Sequence, residues 1–173
     1  MQREAVAMGT PWKVGYGLET AALSTALFHG GLTCGACYEI KCHNSPRWCL
    51  DSTIRVTATN LCPPGHRSVH NWCNLPNQHF DFSQPMFGKI AIYEAGVVPI
   101  LSCRALWVRS GGIRYEIKGK LDWIIVLVSN AGEAGDVKKV KVKGSGSEWI
   151  SMAQNWGQNW RCSVQLVGQN LSF

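Results

Sequence analysis

Ile54-Arg55-Val56-Thr57-Ala58-Thr59-Asn60-Leu61-Cys62 alternates Ile54, Val56 and Ala58 with Arg55, Thr57 and Thr59. A period of two puts the apolar set on one face of a pleated chain, so residues 54–59 are predicted to be a strand. Downstream lies a loop over residues 61–78, rich in Pro, Asn and Gly. Upstream, residues 38–42 read as a second strand. Residues 19–28 read as a short helix, with Ala22, Leu23, Ala26 and Leu27 on one face and Gly30-Gly31 ending it. Ser83 is placed to cap a helix over residues 84–95, with Pro85 in its first turn and Gly96 just past its end.

Beyond Arg109-Ser110-Gly111-Gly112 the pattern changes. Residues 113–118, 123–130, 137–143, 149–152 and 163–167 each read as a strand, separated by glycine-rich turns. Short strands at this spacing predict a small β-sandwich. The fold is therefore expected to be mainly β, in two domains covering residues 1–112 and 113–173.

The 173 residues are 46% hydrophobic and only 16% charged, which excludes a disordered chain. The longest apolar run, residues 123–128, is far short of the roughly 20 residues that span a bilayer as a helix. The net charge of +6 suits acidic polysaccharide, a membrane surface or nucleic acid, and does not choose among them. No nucleic-acid-binding motif accompanies it. Residues 1–8 carry Glu4 and no apolar core, so they do not read as a signal peptide.

Seven of the eight cysteines fall between Cys34 and Cys103. Cys34, Cys37, Cys42 and Cys49, or Cys62, His66, His70 and Cys73, have spacings that zinc could use. The irregular Pro-rich loop favours disulfides in an oxidising compartment instead. Cys42–Cys49 and Cys62–Cys73 are the natural local pairs, each closing a short loop. No metal and no cofactor are expected.

Seven ordered motifs carry a resemblance to a known family. They are residues 20–28 (Thr-Ala-Ala-Leu-Ser-Thr-Ala-Leu-Phe), 34–42 (Cys-Gly-Ala-Cys-Tyr-Glu-Ile-Lys-Cys) and 56–64 (Val-Thr-Ala-Thr-Asn-Leu-Cys-Pro-Pro). Residues 79–85 (His-Phe-Asp-Phe-Ser-Gln-Pro), 111–115 (Gly-Gly-Ile-Arg-Tyr), 135–137 (Gly-Asp-Val) and 155–160 (Asn-Trp-Gly-Gln-Asn-Trp) complete the set. The chain resembles the alpha-expansins over nearly its whole length. The resemblance implies a six-stranded double-psi β-barrel like that of family-45 endoglucanases, followed by an immunoglobulin-like, carbohydrate-binding β-sandwich. It implies a secreted, extracellular protein of the plant cell wall. Such a protein loosens contacts between cellulose and matrix glucans without hydrolysis, as a monomer.

Asp81, in His79-Phe80-Asp81, looks like the general acid of the related endoglucanases. Inverting hydrolysis needs two carboxyl groups roughly 6.5–9.5 Å apart. Glu39, Asp51 and Glu94 are the other carboxyls weighed in the first domain, and none matches the base position, so no residue is expected to be catalytic. Asp81 is instead expected to contact sugar, its alternative being a cap near the helix at residue 84. Thr57, Asn60 and His79 are expected beside it, His79 as a support. Trp123, Trp156 and Trp160 are expected to stack on pyranose rings, with a core position the alternative for Trp123; Trp149 and Tyr115 are weaker choices. Lys139, Lys141 and Lys143 alternate with Val140 and Val142, a stripe that is either a solvated face or a salt-sensitive surface for acidic pectin. Asn170-Leu171-Ser172 is an N-glycosylation sequon.

The chain departs from the family's pattern at both ends. Residues 1–14 stand where the family has a leader, an opening strand and a Gly-rich turn, and residue 173 precedes its closing strands. A segment is thus expected to be missing at each end, Cys34 to lack its partner, and Cys162 to have no counterpart. Trp107 stands where the family has a Cys, leaving the pairing of Cys37 and Cys103 open.

Overall fold

The computed structural model describes residues 5–6, 15–65 and 71–173, so His66 and His70 lie outside the described residues. The alternating stretch becomes β4 (Thr53–Leu61), the longest strand, in a sheet with β1 (Ala5–Val6), β2 (Thr20–Leu23), β3 (Cys37–Cys42), β5 (Phe80–Phe82) and β6 (Ile100–Arg104). Along the sheet the order is β5-β2-β4-β3-β6, and β1 pairs with the end of β4. β4 runs parallel to β2 and antiparallel to β3. Its second half is buried on both faces: Thr57 and Thr59, assigned by period to a polar face, are as hidden as Val56 and Ala58. A central strand covered on both sides no longer needs alternation, so the pattern located β4 without revealing its environment.

Residues 20–23 form a strand rather than the expected helix, and only α1 (Thr25–Phe28) is helical. Ala21, Ala22 and Leu23 occupy the slot between β4 and β5. Ladder hydrogen bonds on both sides outweigh a helical preference of a few tenths of a kcal/mol per residue. The second helix, α2 (Gln84–Ile90), stops short of residue 95; Tyr93–Ala95 make a 3-10 turn ended by Gly96. Leu23, Phe28, Ile40, Val56, Phe80 and Ile90 anchor the core between helices and sheet. Each contributes about 1.5–3 kcal/mol by leaving water. Disulfides join Cys42 to Cys49 and Cys62 to Cys73, while Cys34, Cys37, Cys103 and Cys162 remain thiols. Burial pushes the Cys34 thiol up to about 12.

A second hydrophobic cluster lies between two sheets. One contains β7 (Arg114–Lys120), β8 (Trp123–Ser129), β11 (Ala153–Gln154) and β12 (Asn159–Cys162), in the order β11-β12-β8-β7. The other contains β9 (Lys141–Gly144), β10 (Ile150–Ser151) and β13 (Leu171–Ser172), in the order β10-β9-β13. Val126, Val142, Trp160 and Leu166 fill the space between them. The strand expected over 163–167 falls instead at β12. Asn159-Trp160-Arg161-Cys162 alternates over only four residues, too short a run to signal a strand by itself, and β12 is held by its pairing with β8.

The sandwich docks on the first sheet through backbone as much as side chains. Gly35 and Gly135 have φ of +85° and +83° and pass so close that a Cβ on Gly135 would lie 2.1 Å from the Gly35 carbonyl oxygen. Beside them the Cys37 N–H donates to the Ala134 carbonyl (3.0 Å), the Gln158 amide to the Cys34 carbonyl (2.6 Å), and the Asn130 N–H to the Tyr16 hydroxyl oxygen (2.8 Å). The Arg109 guanidinium lies 3.8 Å from the Trp107 ring centre and 4.8 Å from that of Tyr16, and donates to the Thr57 hydroxyl. Asp136, its side chain only 5% exposed, accepts from Arg104 and pairs with Lys138 at 2.7 Å. Burial alone would raise its carboxyl pKa, but the hydrogen bond from Lys138 and the charge of Arg104 outweigh it and hold the group below the usual range.

Two outcomes follow at this seam. Gly135→Ala is expected to lower unfolding free energy by about 1–2 kcal/mol from left-handed backbone strain alone, plus the cost of parting the two chains. Gly96→Ala, also at positive φ but with open space around it, should cost only the strain; paired urea titrations measure the difference. A depressed carboxyl stabilises the fold above the unfolded pKa, near 3.9, and loses that contribution as pH falls through the folded value. Asp136→Asn should therefore lower the melting temperature at pH 6, with the gap to wild type closing below about pH 4.

Candidate functional site

β5 is the outer strand at one end of the first sheet, and its side chains alternate sharply. Phe80 turns into the core, edge-on to Tyr38 at 5.1 Å between ring centres, and Phe82 stacks beside it at 6.0 Å. With both neighbours turned one way, Asp81 is held on the other face and exposed. It faces a groove of about 1160 Å³ whose walls include Trp72, His79, Tyr93 and Glu94. Trp72 and His79 stack with a 26° angle between their rings.

His79 is positioned from below by Ser24, a fully buried residue. The Ser24 N–H donates to the His79 carbonyl (2.9 Å), the His79 N–H donates to the Ser24 hydroxyl oxygen (3.1 Å), and that hydroxyl donates to the Asn77 carbonyl (2.8 Å). Burial lowers the His79 imidazole pKa, against the opposing charge of Asp81, so the ring stays neutral further into acid than a free histidine. Ser24 lies within the motif of residues 20–28, but the partners of its side chain are more than fifty residues away and leave no local trace.

The other residues expected at the groove are placed differently. Asn60 lies in one cross-strand row with Ala22 and Asp81, yet is nearly buried beneath it. Thr57 is 0% exposed and spends its hydroxyl on Arg109; it offers no surface to a polymer. Of the carboxyls weighed as partners to Asp81, Glu39 is paired with Arg55 at 2.9 Å. Among the described residues, Glu94 is the one of the three that lines the same groove as Asp81. Cys62 and Cys73 are bonded to each other, which takes both thiolates from the zinc arrangement considered above.

On the sandwich, Trp123, Ile125 and Leu127 share the outer face of β8, because Ile124, Val126 and Val128 point into the cluster. Leu127 packs against the first core, so this face runs into the seam. Trp156, in the turn between β11 and β12, packs on Phe28 with ring centres 5.2 Å apart and marks the seam end. Trp123 and Trp156 are both half-buried; a step of four residues along β8 separates Trp123 by roughly 13 Å from Leu127, which shares the first core with Trp156. Trp160 departs from the expected platform. It pairs with Val126, points inward and is 4% exposed, because its odd register against β8 puts it on the core side. Trp149 is exposed beside β10 in the other sheet, and Tyr115 stacks on Phe173 at the sandwich edge. Lys139, Lys141 and Lys143 point away from buried Val140 and Val142.

Two family descriptions match in sequence: lytic transglycolase over residues 20–102, and the expansin C-terminal domain over 113–173. Expansin-A23 of Arabidopsis thaliana is 53% identical over 99% of this chain and 63% of its own length. Expansin-A25 of Oryza sativa subsp. japonica is 45% identical over 98% of this chain and 69% of its own length. The chain thus spans a little under two thirds of the length of several curated relatives it matches. Among solved structures, a mutant expansin of Clavibacter michiganensis in complex with cellohexaose superposes with a TM-score of 0.66 at 18% identity, covering 88% of this chain and 67% of that one. The apo form of that expansin gives 0.61 at 21% identity, with the same coverage. On the strength of relatives that match it nearly end to end, the chain belongs to the expansin family.

Proposed function

We propose that this protein binds cellulose and matrix glucans in the extracellular plant cell wall and loosens their non-covalent contacts without cutting a bond. The observation that carries the reading is the groove beside β5, where Asp81 is held out between two inward phenylalanines next to the Trp72–His79 stack. A carboxylate beside flat rings suits a polymer of alternating hydroxyl edges and apolar C–H faces: the ring stacks on the face while the oxygen accepts from a hydroxyl. Residues 1–112 supply this groove. Residues 113–173 supply a second contact through Trp123, with Trp156 at its seam end. The lysine stripe on β9 suits acidic pectin. No cofactor is invoked, and the two disulfides fit a secreted protein.

A second reading, weak endoglucanase activity, is favoured by one observation: Glu94 shares the groove with Asp81. Two carboxyls across a glucan are the minimum for hydrolysis with acid and base. Released reducing ends separate the readings.

Asp81→Ala is expected to abolish extension of a heat-killed wall strip under load at acidic pH and to weaken cellulose retention by about 10–100-fold, the loss of one charged hydrogen bond. Neither wild type nor Asp81→Ala should release reducing sugar above background. Release that vanishes in both Asp81→Asn and Glu94→Gln would establish the hydrolase.

Trp123→Ala should reduce cellulose retention with little change in melting temperature. Trp160→Ala should lower unfolding free energy by about 3–5 kcal/mol through the cavity it leaves. Binding isotherms beside thermal melts would expose the reverse assignment as a loss of fold in Trp123→Ala.

A further inference from the structure

The register of β8 gathers a particular set of side chains around Trp123. A two-residue turn, Leu121-Asp122, joins β7 to β8 and sets Lys120 directly across from Trp123. Two residues along the same face, Ile125 has a cation on either side: Lys118 across on β7 and Arg161 across on β12. Neighbouring strands lie about 4.8 Å apart, so these two stems stand roughly 10 Å from each other with the apolar strip between them. Beyond Arg161 the next residue across is Ala153 of β11, too short to cover it. Lys118, Lys120 and Arg161 are exposed, and Trp123 and Ile125 are half-buried between them. Glu116 and Asp122 are the carboxylates nearby, and neither stands opposite Trp123 or Ile125. Lys118 holds Glu116 at 2.9 Å, an exposed pair that costs little to exchange. Among the described residues, Lys120 and Arg161 have no ion-pair partner.

We infer that this face takes a chain of carboxylated pyranoses, a uronate polymer, in preference to a neutral glucan. The inference rests on the reading of Trp123 as a sugar contact and names what that contact selects. A pyranose stacked on Trp123 and Ile125 covers the apolar strip with its C–H face and turns its substituents out towards the rim. Lysine and arginine side chains donate hydrogen bonds and accept none. A sugar hydroxyl needs an acceptor as well as a donor. Asp81 supplies an acceptor in the groove, whereas the residues opposite Trp123 and Ile125 supply only donors. A carboxylate accepts without donating, so the rim suits it. Arg161 can meet it with two parallel N–H groups and Lys120 with an ammonium, and such charge-assisted bonds are roughly twice as strong as neutral ones. This surface is separate from the lysine stripe on β9, which belongs to the other sheet. The two domains then select different polymers, the groove a neutral chain and the Trp123 face an acidic one, and one molecule bridges the two.

The test is a set of binding isotherms of the full chain on polygalacturonate and on hydroxyethyl cellulose, a neutral glucan, each coupled to the same resin. Wild type should bind polygalacturonate more tightly. That preference should fade between about 0.1 M and about 1 M salt, as the screening length falls from about 10 Å to about 3 Å. Lys120→Gln with Arg161→Gln should weaken polygalacturonate binding by about tenfold or more and neutral binding by much less, at an unchanged melting temperature. Lys120→Arg with Arg161→Lys should keep most of the affinity. Lys41→Gln with Lys89→Gln removes the same charge from exposed positions in the first domain and should bind polygalacturonate nearly as wild type does. Equal loss in the two neutralised pairs would reduce the effect to net charge and overturn the inference, as would a wild type that binds both polymers alike. Trp123→Ala separates the inference from the reading beneath it. A variant that loses the neutral polymer but keeps polygalacturonate leaves Trp123 a sugar contact and overturns uronate selection; one that keeps both removes the contact itself.

Discussion

Gly35 and Gly135 bring the first sheet and the sandwich together with no side chain between them, and the geometry of everything else follows from that approach. A Cβ on either would overlap the other's carbonyl oxygen. Backbone contact at this range leaves N–H and C=O groups that must be paired where they lie. The Cys37–Ala134 and Gln158–Cys34 hydrogen bonds do so. Arg109 closes the outer side of the same junction, its charge spread over two aromatic faces while it satisfies the Thr57 hydroxyl in the middle of β4. Cation–ring contacts with partly desolvated aromatics are worth about 0.5–2 kcal/mol each. The linker is therefore part of the junction rather than a tether.

The same junction explains why polar residues fill the second half of β4. Thr57, Thr59 and Asn60 are buried because other parts of the chain cover that face. In the sequence they look like a solvated edge. Period two located β4 and the outward lysines of β9, and a continuous apolar run located β8. What it could not carry was how many layers lie above each face. Trp160 illustrates the limit: Asn159-Trp160-Arg161-Cys162 alternates polar and apolar residues, which puts Trp160 and Cys162 on the inner face, but four residues are too short a run to announce the strand.

The site was legible to different degrees for equally physical reasons. Asp81 could be read through the resemblance of residues 79–85 to a family motif; that Phe80 and Phe82 flank it in a three-residue strand and turn it outward is visible only in the structure. Ser24 and Trp72 could not be read, and Glu94 could be weighed as a carboxyl but not placed, since tertiary packing alone brings these separate segments to or beneath the groove. The misjudged helix over residues 19–28 has a related cause. Alanine and leucine are good helix formers, and only the parallel slot beside β4 makes Thr20–Leu23 a strand.

A seam of this kind matters for a protein proposed to act on a polymer without chemistry. Each contact, a carboxylate beside stacked rings in the groove or a half-buried tryptophan on β8, is weak against a solvated glucan. Held in a fixed relation, the second contact forms at an effective concentration set by the scaffold rather than by diffusion. The face that carries Trp123 runs through Leu127 into the first core, so displacement of one contact surface requires breaking the packing that anchors the other. Asp136 fits this demand: Lys138 and Arg104 hold its carboxyl below the usual range, which keeps the ion pairs at the junction formed in mildly acidic conditions. His79 contributes in the same direction from within the groove. Its burial keeps the ring neutral further into acid, so the stack on Trp72 keeps its apolar character.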